Sequence, residues 1–291
     1  MDRRIRDGFL GQKLISLPLH VYSARQAHSM ILNEIFVTHI GYFPKAAYHF
    51  RNRPNGCTDN ILIYCVQGKG WYKVGRQKYD VNAGQYFQIT AGKSQVTYAA
   101  DLENPWSIYW VHYSGKDIDQ FNAILAISSK NGPLHVPYNE HGIAIWEEMY
   151  SCLEMGYSKG NLNQANMCLH HFLATFLYAK RPVNTIENNL VQESIQFMKT
   201  RLTERFTVED LSCRHSLSVS HFSNLFRRET GTSPLDYFIQ LKMQRACQLL
   251  YGTSIKIKDI ASSLGYEDAF YFSRLFKKMM GLSPEQYRAV K

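Results

Sequence analysis

Residues 207–238 read TVEDLSCRHSLSVSHFSNLFRRETGTSPLDYF, and residues 256–288 read KIKDIASSLGYEDAFYFSRLFKKMMGLSPEQYR. The two lines are one pattern written twice. Asp210-Leu211 answers Asp259-Ile260 at an offset of 49. Leu225-Phe226, Gly231, Ser233-Pro234 and Tyr237 answer Leu275-Phe276, Gly281, Ser283-Pro284 and Tyr287 at an offset of 50. The second copy therefore carries one extra residue, expected in its turn. Two copies are too few to build a solenoid, so this is a duplicated motif.

Each copy parses as a short helix, a turn and a longer helix. Thr207 followed by Asp210 is a helix-start signal, and Gly231 and Gly281 stand where a glycine ends a helix. Phe222, Leu225 and Phe226 recur as Phe272, Leu275 and Phe276, a spacing that puts three apolar groups on one buried stripe. The opposite face carries Ser220, Ser223, Asn224 and Arg227 in the first copy and Phe270, Ser273, Arg274 and Lys277 in the second, flanked by Arg228 and Lys278. A short positioning helix before a helix with a polar, cationic face is a helix-turn-helix pattern. Ordinary helix pairs with solvated charged faces are the plain alternative, and the repeated cationic positions argue against it. The units span 207–229 and 257–280. Between them Ser233-Pro234 opens a third segment, with proline at the favoured first helical position. It runs without a breaker to Gly252, with Phe238, Leu241, Ala246, Leu249 and Leu250 as its inner face.

With these strings in place, residues 190–291 resemble the DNA-binding domain of AraC/XylS-type transcription regulators, the strongest matches being SHFSNLFRRETGTSP and GYEDAFYFSRLFKKMMGLSPEQYR. The resemblance implies seven helices, two helix-turn-helix units joined by a rigid helix, and double-stranded DNA as partner. On the polar faces, Arg274 and Asn224 are the residue types that pair bidentately with guanine and adenine. Ser220, Ser223 and Ser273 share that face. Phe270 fits either a thymine methyl or the core. Arg227, Arg228, Lys277 and Lys278 suit phosphates.

The chain has 291 residues, enough for two domains, with 45% hydrophobic and 13% aromatic residues and a formal charge of +9. That charge suits a polyanionic partner. The excess is spread over both halves, so placement on the helices carries the nucleic-acid reading. The six cysteines form no C-x-x-C pair and read as free thiols of a reducing compartment. The basic start lacks the apolar core of a signal peptide, and no segment has the uninterrupted apolar length of a membrane span. A cytoplasmic protein without membrane attachment is expected.

From Ile35 to about Tyr113 the pattern changes to short runs rich in Val, Ile, Tyr, Phe and Trp, including IFVTHIGYF, ILIYCV, GWYKV, QYFQI, VTYAA and WSIYWVHY, punctuated by Gly-containing turns. Such spacing favours a small sandwich or barrel, whose mouth often holds one small ligand. Through RPNGCTDNILIYCVQGKGWYKVGRQKYDVNAGQYFQITAGKSQ and WSIYWVHY, this half resembles the cupin-like effector domain of arabinose-responsive AraC-type regulators. By that resemblance Arg53 matches an effector-contacting arginine and Trp110 a tryptophan on which a sugar stacks. A guanidinium fork hydrogen-bonds hydroxyls, and an indole face packs on sugar C–H groups. On periodicity alone Trp110 reads equally as a core aromatic, and Arg53 as a solvated loop residue. Ile108 stands where a sugar-binding member has histidine.

Metal-binding cupins use histidines and a glutamate in two motifs. Here Gln95 and Thr90 occupy second-motif positions, and His39, His49, His112 and His135 have no i, i+2 partner, so they read as structural or surface residues. No metal and no cofactor are expected. Phosphate loops, nucleophile elbows and Cys/His nucleophile contexts are absent from the sequence, so an enzyme is not expected.

Residues 140–180 return to helical period, with stripes at Ile143, Ile145, Trp146, Met149, Cys152, Leu153 and Met155, and at Leu162, Met167, Leu169, Phe172, Leu173, Phe176 and Leu177. They resemble the helix pair by which AraC-type effector domains dimerise, with packing on the barrel as the alternative. The expected organisation is therefore α+β. A cupin-like barrel with a helical dimerisation segment occupies 1–180, a linker 181–189, and an all-α DNA-binding domain 190–291. The implied function is sequence-specific DNA-binding transcription regulation by a homodimer answering a small-molecule effector, a sugar by resemblance. RNA polymerase is a further partner if the protein activates. The alternative is a ligand-independent DNA-binding regulator whose barrel serves only dimerisation.

Overall fold

The computed structural model describes residues 4–19, 21, 35–136, 138–179 and 185–289. The chain divides into two compact units, Met1–Arg181 and Pro182–Lys291.

The first unit is built on two antiparallel sheets. One has six strands in the order β1-β2-β9-β4-β7-β10: β1 (Lys13–Ser16), β2 (Phe36–Phe43), β9 (Ser107–Ser114), β4 (Asn60–Gln67), β7 (Gln85–Ile89) and β10 (Leu134–His135). The other has four, β3-β8-β5-β6: β3 (Phe50–Arg53), β8 (Val96–Ala100), β5 (Lys69–Val74) and β6 (Gln77–Asn82). The expected barrel is thus an open sandwich. Among the described residues no strand ladder joins the two sheets, and closure requires hydrogen-bonded strands all the way round. The edge strands are β1 and β10 in the six-stranded sheet and β3 and β6 in the four-stranded one.

Strand β4 explains why its sequence is apolar without alternation. Ile61, Ile63 and Cys65 face the second sheet and pack with Tyr72, Val81, Phe87, Tyr98, Trp106 and Ile108. Leu62 and Tyr64 face the other way, into a cluster with Val111, Tyr113, Trp146, Met149, Phe172 and Phe176. A strand covered on both faces loses the polar alternation of a half-exposed one. The second cover comes from helices α2 (Glu140–Glu154) and α3 (Lys159–Leu177), started by Asn139, which accepts from the Gly142 N–H, and Ser158, which accepts from the Asn161 N–H. A short helix α1 (Ile118–Ile124) precedes them. Most of the apolar stripes assigned to dimerisation are therefore spent on the sheet. Met155 and Met167, 83% and 70% exposed, are not.

The second unit contains seven helices among its described residues: α4 (Thr185–Thr200), α5 (Val208–Cys213), α6 (Val219–Thr230), α7 (Pro234–Gly252), α8 (Ile257–Ser263), α9 (Ala269–Met280) and α10 (Pro284–Ala289). Of the expected linker, residues 181–184 lie outside the described residues, while 185–189 already belong to α4. Two asparagines there cost under about 1 kcal/mol each in helix propensity, and burial of Val191, Ser194 and Met198 overrides them. The extra residue of the second copy falls in its turn. Ser216 and Gly265 carry the left-handed φ, and Leu217 and Tyr266 donate to the Ser212 and Ala261 carbonyls, still at the offset of 49, so the added residue lies between Tyr266 and the start of α9 at Ala269.

Helix α7 is divided between two cores. Its Phe238 and Leu241 pack with Leu211, Phe222, Leu225 and Phe226. Its Met243, Ala246 and Leu250 pack with Ile260, Ala261, Leu264, Phe272 and Phe276. Lys242 between them is 5% exposed, donates to the Glu204 carbonyl at 3.1 Å and lies over the Phe238 and Tyr266 rings. Phe226→Ala or Phe276→Ala is expected to destabilise the second unit by about 3–5 kcal/mol, while Phe270→Ala, at an exposed phenylalanine, changes it by no more than about 0.5 kcal/mol. Urea unfolding of the intact chain followed by far-UV circular dichroism measures both.

Candidate effector pocket and nucleic-acid interface

A cavity of about 210 Å³ opens in the first unit between the inner faces of the two sheets. Its walls follow from strand alternation. On β9, Ile108, Trp110 and His112 point inward, on β2 His39 and Phe43 do so, and on β3 Arg51 and Arg53 share the inward face. Segments of the first 16 residues complete the lining with Arg6, Asp7, Leu14 and Ser16. The run is tied down by backbone hydrogen bonds between Ile5 and both Tyr48 and Phe50.

Arg53 and Trp110 meet in this cavity. Arg53 is no solvated loop residue: it ends β3, partly buried, with its Nη2 at 3.5 Å from the Tyr98 hydroxyl. Trp110 is 7% exposed and belongs to the inter-sheet core while also lining the cavity. Its ring lies over Gly41, its cross-strand neighbour, where a Cβ would overlap the indole. Behind it, the Trp146 indole N–H donates to the Trp110 carbonyl at 3.3 Å and fixes β9 against α2. Both residues also carry a buried donor without a protein partner, Arg53 Nε and Trp110 Nε1. Buried donors left unpaired are costly.

Further lining comes from residues whose place in the cavity no local pattern declares. Arg51 sits two residues before Arg53 on the same face, and it was legible only once FRNR is seen to be a strand. His49, 3% exposed, stands against Trp106, whose indole N–H meets its Nδ1 at 3.1 Å. Burial, reinforced by Arg51, pushes the His49 pKa down to about 3, so this ring stays neutral. His39 and His112, read from sequence as structural or surface residues, instead flank Asp59 on the cavity wall. For Asp59, burial works to raise the pKa, but the His112 and His39 rings and the Thr38 hydroxyl outweigh it and hold the carboxyl well below its usual range. Burial lowers the His112 pKa to about 4.

In the second unit, α6 and α9 present equivalent faces. Ser220, Asn224, Arg227 and Arg228 are exposed and Ser223 is half-buried on α6. Phe270, Arg274, Lys277 and Lys278 are exposed and Ser273 is half-buried on α9. Phe270, 82% exposed, is not core. The Ser273 hydroxyl is engaged with the Ala269 carbonyl at 2.8 Å, and Arg228 is paired with Glu229 at 2.9 Å. His221 and Tyr271 are exposed at matching positions beside these faces and were not singled out from sequence. Both helices end on a left-handed glycine, Gly231 and Gly281, each at φ 78°. That conformation suits glycine and turns the chain sharply into α7 and α10. The Thr207 side chain and Asp210 form a reciprocal capping box that fixes α5.

Residues 39–170 match the family model of the AraC-like ligand binding domain, and residues 211–289 match that of a helix-turn-helix domain. The chain is 30% identical over 261 residues to the MmsAB operon regulatory protein of Pseudomonas aeruginosa, covering 88% of this chain and 83% of that protein. It is 34% identical over 248 residues to the arabinose operon regulatory protein of Escherichia coli K12, covering 82% and 84%. It is 29% identical over 237 residues to the lactose operon transcription activator of Staphylococcus xylosus, covering 79% and 83%. With a ligand-binding unit ahead of a duplicated helix-turn-helix unit, the chain belongs to the AraC family of DNA-binding transcription regulators.

Proposed function

We propose that this regulator senses a small polyhydroxylated molecule, a sugar, in the cavity between its sheets, and reads DNA through α6 and α9. The observation that carries the effector half is that Arg53 and Trp110, each with a buried donor unpartnered in the protein, line one cavity. A ligand rich in hydroxyls satisfies both donors and packs its C–H face on the indole. Relatives named for arabinose and lactose operons support the same class. Ligand binding shifts the balance between arrangements of the two units and so changes how half-sites are engaged. The protein acts as a homodimer, with the exposed Met155 and Met167 of the α2–α3 pair as the contact. It works in the cytoplasm, in keeping with six free cysteines, and meets RNA polymerase where it activates.

On DNA, Arg274 and Asn224 read base edges, Ser220, Ser223, Ser273 and Phe270 line the same faces, and Arg227, Arg228, Lys277 and Lys278 hold phosphates. Arg228 must exchange its Glu229 partner for a phosphate, so it contributes less than Arg227.

Thermal shifts of the purified chain against mono- and disaccharides test the effector reading. A saturable rise in Tm with one sugar is expected, lost in both Arg53→Ala and Trp110→Ala. A rise that survives both substitutions moves the ligand out of this cavity. For DNA, Arg274→Ala is expected to cost about 1–3 kcal/mol at one base position and relax preference there. Lys277→Ala should weaken all sequences alike and reduce the salt slope of log K by about 1. Fluorescence anisotropy over a salt series on an operator and its single-base variants separates the two.

A further inference from the structure

We propose that His39, Asp59 and His112 form a divalent-cation site in the wall of the effector cavity. The three come from β2, the turn before β4 and β9, and all line the cavity. His39 and His112 are direct cross-strand neighbours with ring centroids 4.9 Å apart, and Ile61, two residues after Asp59, is the partner of His112 on the other side. One ligand atom from each of the three residues lies within 4.8 Å of the others.

The distances favour an ion over a hydrogen-bonded network. Asp59 Oδ2 is 3.6 Å from His39 Nδ1 and 3.8 Å from His112 Nδ1. Both separations are beyond hydrogen-bond reach. They are close to the edge of a tetrahedral site, where ligands about 2.0–2.1 Å from zinc stand about 3.4 Å from one another. Two imidazoles and one carboxylate are a donor set suited to zinc, iron, nickel or manganese. Three protein ligands leave the remaining position to the cavity, where an effector oxygen would arrive beside Arg53 and Trp110.

An outer partner is also built in. The Thr38 hydroxyl donates to Asp59 Oδ2 at 2.6 Å, although His39 Nδ1 is also near it at 3.1 Å. One hydroxyl proton serves one acceptor, and the shorter contact takes it, which orients the carboxylate as outer-shell donors do in metal sites. A register shift in β2 between Val37 and His39 brings Thr38 and His39 to Asp59 together, and the freed Val37 N–H is met by Asn166 Oδ1 at 3.1 Å. Bulges of this kind re-aim side chains beside functional sites. The set is distinct from the cupin motif positions held here by Thr90 and Gln95.

The test uses the full chain, metal-stripped and then dialysed separately against Zn²⁺, Ni²⁺, Mn²⁺ and Co²⁺. Bound metal is counted by mass spectrometry, affinity is read by calorimetry, and the d–d bands of bound Co²⁺ report coordination. At least one ion is expected to bind at one equivalent lost in His112→Gln and in Asp59→Asn, with far-UV circular dichroism unchanged. Thr38→Val should retain the site but weaken it about 10–100-fold. The exposed His141–His171 pair, with Nε2 atoms 3.3 Å apart, is the adventitious competitor. Binding abolished by His141→Gln and untouched by His112→Gln overturns the proposal, as does no stoichiometric binding of any of the four ions. The proposal shares its cavity with the sugar reading, but the outcomes are separable. A sugar-dependent Tm rise without metal uptake refutes only the cation site, and metal uptake without any sugar response refutes only the sugar.

Discussion

The DNA-reading unit depends on one continuous helix having to serve two hydrophobic cores. At 19 residues α7 is about 28 Å long, and it gives Phe238 and Leu241 to one core and Met243, Ala246 and Leu250 to the other. Neither helix-turn-helix unit can shift along it without withdrawing those side chains from a close-packed interior. Lys242, held between the cores by a backbone carbonyl and two aromatic rings, occupies the point where a hinge would have to form. Successive major grooves lie roughly 34 Å apart, so a stiff spacer of this length sets the register in which one chain meets DNA.

In the ligand-binding unit the comparable constraint is the double burial of β4. Because helices cover its outer face, its inner residues are held as one wall of the cavity, and β9 beside it is pinned through the Trp146–Trp110 hydrogen bond. Trp110 can lie flat along that wall only because Gly41 opposite has no side chain. The indole orientation is therefore set by backbone pairing two strands deep before any ligand arrives.

What was legible in the sequence divides along the same line. Helical period gave the stripes of Phe222, Leu225 and Phe226 and of Phe272, Leu275 and Phe276, all of which pack inward, because local contacts dominate helix pairs. Apolar runs located β2, β4 and β9. The short strands KLIS and FRNR were invisible, since neither is apolar enough to declare itself, and with FRNR went Arg51. Openness of the sandwich depends on which strand edges pair, which no local pattern states. His39, Asp59 and His112 are scattered along the chain, and only a bulge and two ladder registers unite them. The polar faces of α6 and α9 could be named from one helix at a time; the cavity could not.

The two copies of the reading motif are not equally well begun. Thr207 closes both hydrogen bonds of a capping box on α5, whereas α8 starts at Lys256, which offers no side-chain acceptor and sets a cation at the positive end of the helix. A missing cap is worth about 1 kcal/mol, or roughly a fivefold change in the equilibrium between closed and frayed first turns. The starts of the two short helices are thus fixed unequally. Amide protons at the start of α8 are therefore expected to exchange with solvent sooner than those at the start of α5.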